Sequence, residues 1–188
     1  AFATGISTVK EFFAQLYADT NIEFEPASGG RSMNGHFANR LLNDKGEWKN
    51  LMEMKNTSAD ISPTASQMLR LVGLAYASKL YRENEQLHGM TTFSDKGNEV
   101  AFGTIGNASC AEGMFFEALN AAAVLRIPMA VSIWDNGFGI SVPSKYQIAK
   151  ESISNVLVGF EYEEKWRQGF KIHAAKGWDY PGLVSMYE

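Results

Sequence analysis

With 188 residues, 45% of them apolar, the chain can bury one sizeable core, so a single domain over 1–188 is expected. Lys and Arg number 17 against 21 Asp and Glu, a formal charge of −4 without runs of like charge, which argues against nucleic-acid or membrane-surface binding. The lone cysteine, Cys110, excludes an internal disulfide. With no membrane-length apolar run or signal peptide in view, a cytoplasmic setting is expected.

Thr8 to Tyr17 (TVKEFFAQLY) sets Val9, Phe12, Phe13, Leu16 and Tyr17 on one helical stripe, which predicts a helix packed on a sheet face. From Glu25 to Arg40 the periodicity breaks at Gly29, Gly30 and Gly35, predicting a loop long enough to carry function. Met52 to Thr57 reads as a short strand. Ser62-Pro63 predicts a helix start, with a hydroxyl at the N-cap, proline behind it, and Met68, Leu71, Val72, Ala75 and Leu80 at helical spacing. Asn84 to Asn98 is polar and reads as a surface connection.

Glu99 to Ile105 (EVAFGTI) is a strand-like run that breaks at Gly106 into Asn107, Ala108 and Ser109, before Glu112 to Leu125 takes up helical spacing. Such a strand-to-helix junction collects free N–H groups and the positive end of the helix dipole, and small side chains let an anion approach. A second strand, Met129 to Trp134, delivers Asp135 and Asn136 to the same sheet edge, where their oxygens suit a hard cation. The pair reads as a metal-diphosphate cradle. Pro143 to Glu164 predicts a long loop with weak helical content, Phe170 to Ala174 a third strand, and Asp179 the cap of a last helix with Pro181 in its first turn. The alternation predicts an α/β fold: a doubly wound, mainly parallel sheet with helices on both faces. The chain starts one short turn before a helix and stops inside another, so a fragment truncated at both ends is expected.

Nearly the whole chain resembles the α subunit, or α half, of the decarboxylating component of thiamine diphosphate-dependent 2-oxoacid dehydrogenases, the branched-chain type above all. The resemblance is carried by Gly5 to Ala18, Gly30-Arg31-Ser32-Met33, Ser62 to Gln67, Gly106 to Ala118, Ile127-Pro128 and Asn136 to Ser141. It implies the thiamin diphosphate-binding fold. In that family, magnesium under the cofactor's diphosphate is held by an acidic residue, an asparagine and a main-chain carbonyl, positions that fall on Asn107, Asn136 and Phe138. Asn107 departs from the pattern, because an amide brings an oxygen without the charge. Ala108 stands where the signature has glycine, which requires a negative φ. The resemblance further implies cofactor contacts at Ser62, Thr64, Gly106, Ser109 and Trp134. A potassium ion is implied on Ser66 and Gln67 with the main-chain oxygens of Ile61 and Pro63.

The same resemblance implies a β-type pyrimidine-binding subunit or domain as partner, a dimer or α2β2-like assembly, a lipoyl acyltransferase component and a 2-oxoacid substrate. No catalytic residue of the family falls in this chain. The essential glutamate belongs to the β part, and neither the catalytic histidine nor the diphosphate-pairing arginine matches a residue here. His36 is either a substrate-orienting group or a bonded loop residue; His88 and His173 carry no assigned role. Cys110 reads as a small core residue, as do Phe115, Phe116 and Leu119, and Trp134 as either a cofactor contact or core. Two other readings stay open: a transketolase-like carboligase, and a cofactor-free assembly scaffold suggested by Asn107 and Ala108. A plain dinucleotide-binding reading lacks its Gly-x-Gly-x-x-Gly element.

Overall fold

Five α-helices and two small sheets form in the computed structural model, which describes Ala1 to Glu188. The chain divides into two compact units, residues 1–63 with 77–99 and residues 64–76 with 100–188.

In the first unit, α1 (Val9–Leu16) starts one residue into the predicted run, with Thr8 as its N-cap. Thr8 and Glu11 form a capping box, with Thr8 Oγ1 accepting from Glu11 N at 3.2 Å and Glu11 Oε2 from Thr8 N at 2.7 Å. The expected apolar stripe on a sheet face is not what the helix buries. Val9, Phe13, Leu16 and Tyr17 are exposed, this unit has no sheet, and the buried side chain is Gln15. Gln15 is inside because it satisfies loop backbone: its Nε2 donates to His36 O at 2.6 Å and its Oε1 accepts from Gly35 N at 2.7 Å.

The glycine-punctuated loop is ordered by a buried carboxylate. Glu25, 1% exposed, accepts from the N–H groups of Ala27, Ser28 and Gly30 and from the Ser28 hydroxyl at 2.6 Å. Gly30 sits so close that a Cβ would lie 2.5 Å from Ala18 O, at φ +73°. Burial pushes the Glu25 carboxyl up, but these hydrogen bonds outweigh it and hold it below its ordinary 4.5. A carboxyl whose folded-state value is depressed stabilises the fold above its unfolded value, and that stabilisation is lost as pH falls through the folded value. Stability of the unsubstituted chain should therefore decline below pH 4.5 more steeply than that of Glu25→Gln, as measured by denaturant melts across the acid range.

Three expected elements are corrected. Met52 to Thr57 is not a strand: Asn50 Oδ1 accepts from Met52 N at 3.1 Å and closes a 3-10 turn over Leu51–Glu53. Ser62 does not cap a helix and Pro63 does not open one. Residues 64–66 form a turn, Ala65 has φ +64°, and α2 (Gln67–Glu83) begins only after this left-handed residue has interrupted the helical path. Phe170 to Ala174 is not a strand either; Phe170 makes one isolated bridge to Glu161, beside Gly169 at φ +108°. Phe170 and Ile172 still pack against the core, which accounts for their apolar character.

The second unit is built on a parallel pair, β1 (Ala101–Gly106) and β2 (Met129–Trp134), in register from Ala101↔Met129 to Gly106↔Trp134. Between them runs α3 (Gly113–Leu125), which ends on Arg126 at φ +52°. One face of the pair packs on α2 and α3: Met68, Ile105, Cys110, Phe115, Ala118 and Leu119 are buried, with Val131 and Ile133 against them. Gly103 is there for closeness, since a Cβ would meet Leu71 Cδ2 at 2.8 Å. On the other, more exposed face the last residue of α5 (Tyr180–Tyr187) touches the strands. Tyr187 lies edge-on to Phe102 with ring centroids 6.2 Å apart, and its hydroxyl is 2.6 Å from Ser132 Oγ. Asp179 caps α5 as expected, accepting from Gly182 N at 3.2 Å. After β2 come a hairpin, β3 (Phe138–Gly139) and β4 (Val142–Pro143), and the short α4 (Ile153–Val156) among 3-10 turns, in agreement with the predicted loop.

Candidate diphosphate and cation site

Because Gly106 and Trp134 are register partners, Asn107 and Asp135 leave the sheet side by side, and Asn107 N donates to Trp134 O at 3.2 Å. Asn107 adopts φ −54° and ψ −43°, and a 3-10 turn (Ala108–Ala111) follows before Glu112 turns the chain into α3. Ala108 is not among the positive-φ residues, so the backbone accepts alanine in place of glycine. The N–H groups of Ala108 and Ser109 donate to no backbone carbonyl outside the turn, leaving two donors at the strand end. The difference from expectation is the intervening turn: the nearest free N–H groups belong to it rather than to α3.

The chain after β2 folds back over this end. Asp135 Oδ1 accepts from Gly137 N at 2.8 Å and Asn136 Oδ1 from Phe138 N at 3.0 Å, two successive side-chain turns that start the hairpin. Gly137, at φ +79°, supplies the left-handed residue. The hairpin closes where Ser144 N donates to Gly137 O at 2.9 Å, and Ser144 Oγ accepts from Asn107 Nδ2 at 2.9 Å. Gly139 presses on the turn, since a Cβ there would stand 2.6 Å from Ala108 Cβ and 2.4 Å from Gln147 Nε2. Gln147 Nε2 donates to Val142 O at 3.1 Å, while its buried Oε1 has no partner. Phe138 is paired with Pro143, which has no N–H, so its carbonyl receives no ladder bond from that partner.

These groups are of the kind that a hard cation beneath a diphosphate takes. The donors are all oxygens: the Asn107 amide (the residue 3% exposed), the more exposed Asn136 amide and the Phe138 carbonyl. The set is neutral, and no cluster of three or more His, Cys, Asp or Glu lies anywhere in the chain. Asp135 leaves the sheet beside Asn107. Its field reaches inward to Cys110, whose thiol is pushed up to about 12 by burial first and by Asp135 second. Cys110, fully buried with Sγ on Gly106 O at 3.4 Å, is a neutral core residue.

Gly106, Asn107, Ala108, Ser109, Asn136 and Phe138 are thus gathered at one end of the strand pair. Trp134 shares that end, but its side chain is 69% exposed and its Nε1 donates to Ser132 Oγ at 3.1 Å, so it is not a core residue. Thr64 lies exposed in the turn before α2. Ser66 Oγ is 3.9 Å from Met114 Sδ, and Gln67 Nε2 donates to Thr104 O at 3.4 Å, two residues before the cradle begins at Gly106. Ile61, Ser62 and Pro63 belong to the first unit, where Ser62 Oγ is 2.9 Å from His36 Nε2. His36 Nδ1 faces the Met33 carbonyl at 3.1 Å and so carries the ring proton, which makes the Ser62 hydroxyl the donor to Nε2. His36 is therefore a bonded loop residue that orients Ser62. Ser144 and Gln147 were not legible as site residues, because only the hairpin's return brings them to Asn107 and Ala108.

The family model for the dehydrogenase E1 component matches residues 1–163. The 2-oxoisovalerate dehydrogenase subunit alpha of Bacillus subtilis (strain 168) is 32% identical over 136 residues, covering 72% of this chain and 33% of that protein. The mitochondrial 2-oxoisovalerate dehydrogenase subunit alpha of Caenorhabditis elegans is 26% identical over 147 residues, 78% of this chain and 27% of that protein. The pyruvate dehydrogenase E1 component subunit alpha of Acholeplasma laidlawii is 32% identical over 111 residues, 57% of this chain and 28% of that protein. The chain spans a third or less of the length of these relatives. A family match reaching from Ala1 through the strand pair, the cradle and the hairpin places this chain in the dehydrogenase E1 component family, whose α/β fold binds thiamine diphosphate.

Proposed function

We propose that the chain is the diphosphate-binding α-type domain of a 2-oxoacid dehydrogenase that decarboxylates a branched-chain 2-oxoacid and passes the acyl group to a lipoyl carrier. The observation that carries this reading is the placement of Asn107 and Asp135 side by side at the end of a parallel strand pair, under a hairpin whose Ser144 takes the Asn107 amide N–H and whose Phe138 carbonyl receives no ladder bond from Pro143. When bound, thiamine diphosphate supplies the electron sink through which a 2-oxoacid loses carbon dioxide. In this reading Asn107, Asn136 and the Phe138 carbonyl hold magnesium. The free N–H groups of Ala108 and Ser109, with Gly106 and Thr64, receive the diphosphate, and Asp135 supplies negative charge from alongside. Ser66 and Gln67 are in this reading ligands of a potassium ion. In this reading the strand pair belongs to a doubly wound parallel sheet, a reading supported by the parallel β1–α3–β2 crossover.

The proposed partners are a β-type pyrimidine-binding subunit or domain, which completes the site in an α2β2-like assembly, and a lipoyl acyltransferase; the proposed setting is cytoplasmic. The neutral donor set and the outward-turned Trp134 favour one other reading, a cofactor-free scaffold of the same assembly. Calorimetric titration of the full-length protein with its β-type partner separates the two. The dehydrogenase reading expects saturable, magnesium-dependent binding of thiamine diphosphate, and absence of heat at millimolar ligand selects the scaffold.

A further inference from the structure

Asn107 is almost fully buried, and its amide nitrogen has one hydrogen-bond partner, the Ser144 hydroxyl at 2.9 Å. We infer that Ser144 is a positioning residue for the cation: it takes the Asn107 Nδ2–H bond, so that Oδ1 is presented to the metal in a fixed orientation. The inference rests on the dehydrogenase reading above. An amide has two unlike ends, and only one of them binds a cation. A buried N–H group without an acceptor is costly, so the hydroxyl decides where the nitrogen rests and thereby where the oxygen points. Donation to Ser144 also polarises the amide and makes Oδ1 the more negative end, which strengthens it as a ligand.

The same geometry assigns Ser144 the opposite effect if residue 107 is an acid. A carboxylate has two equivalent acceptor oxygens and needs no orienting acceptor. The hydroxyl would then turn to donate and draw charge away from the metal. Ser144 is thus matched to asparagine at position 107, and its influence on binding should reverse sign with the residue it touches.

Removing the hydroxyl leaves the loop's own bonds in place, because Ser144 N still donates to Gly137 O, and Gln147 N and Ile148 N still donate to Ser144 O. The test is calorimetric titration of thiamine diphosphate and magnesium into the full-length protein with its β-type partner, for the unsubstituted chain, Ser144→Ala, Ser144→Thr, Asn107→Asp and the double variant Asn107→Asp with Ser144→Ala. Ser144→Ala should raise Kd about tenfold, the loss of one oriented ligand bond, and Ser144→Thr should restore it. The double variant should bind as tightly as Asn107→Asp alone, or more tightly. Unchanged Kd in Ser144→Ala overturns the inference, as does an equal loss in both backgrounds, the mark of a merely structural serine. No binding by the unsubstituted protein overturns the dehydrogenase reading and this inference with it, whereas binding that ignores Ser144 overturns only the inference.

Discussion

Replacing Asn107 by leucine is expected to weaken magnesium-dependent binding of thiamine diphosphate by at least about a hundredfold, since even groups that only support a metal ligand cost up to that much when removed. Leucine shares the branching of asparagine but is larger, so at this 3% exposed position the substitution removes a donor without opening a cavity and adds some overpacking. The orphaned Ser144 hydroxyl can turn to another acceptor, and the backbone bonds from Asn107 N to Trp134 O and from Ser144 N to Gly137 O persist. Thermal melting of the unliganded protein measures the cost of the larger side chain separately, and the calorimetric binding isotherm should collapse at temperatures where the variant is still folded. Asn107→Asp should move the other way, because it adds a negative charge to a site for a divalent cation. Equal binding by the asparagine, aspartate and leucine forms would exclude residue 107 from the cation site.

Phe115→Ala is expected to destabilise the second unit by about 3–5 kcal/mol, the range for truncating a fully buried aromatic ring. Phe115 has no exposed surface and lies edge-on to Phe116, with centroids 5.2 Å apart, in the cluster with Met68, Ile105, Cys110 and Leu119. Its removal strikes the packing between α3 and the strand pair, and so the platform on which Asn107 stands. The melting midpoint should drop by roughly 10 °C for a chain of this size. Phe102→Ala supplies the contrast. That ring is 55% exposed on the opposite face and touches Tyr187, so its loss should cost about 1 kcal/mol or less. Similar losses for the two variants would show that the core lies elsewhere.

Where local sequence and packing agreed, the elements were legible. β2 has the predicted bounds, β1 lies within two residues of its predicted run, and Glu112 and Thr8, where the predicted helical runs begin, are the N-cap residues of α3 and α1. Runs of β-branched and apolar residues that end in glycine leave few alternatives to a strand, and a capping box needs only residues three apart. The misreadings occurred where a distant group took over. Ser62 has the chemistry of an N-cap, but its hydroxyl is held by His36, and the left-handed Ala65 delays α2 to Gln67. The stripe on α1 suggested a buried apolar face, yet the loop's carbonyl and N–H groups drew Gln15 inside instead.

Residue order alone determined that Asn107 follows a strand end and that Asp135 and Asn136 follow the next one, and with that the family. It also determined that position 107 carries an amide without charge. Tertiary structure decided what holds that amide. Ser144 lies 37 residues away in sequence and reaches Asn107 because Gly137 and the bare backbone of Gly139 let the hairpin fold onto the cradle. A hydrogen bond between residues so far apart has no period and no local pattern, so it exists only once the chain has closed on itself.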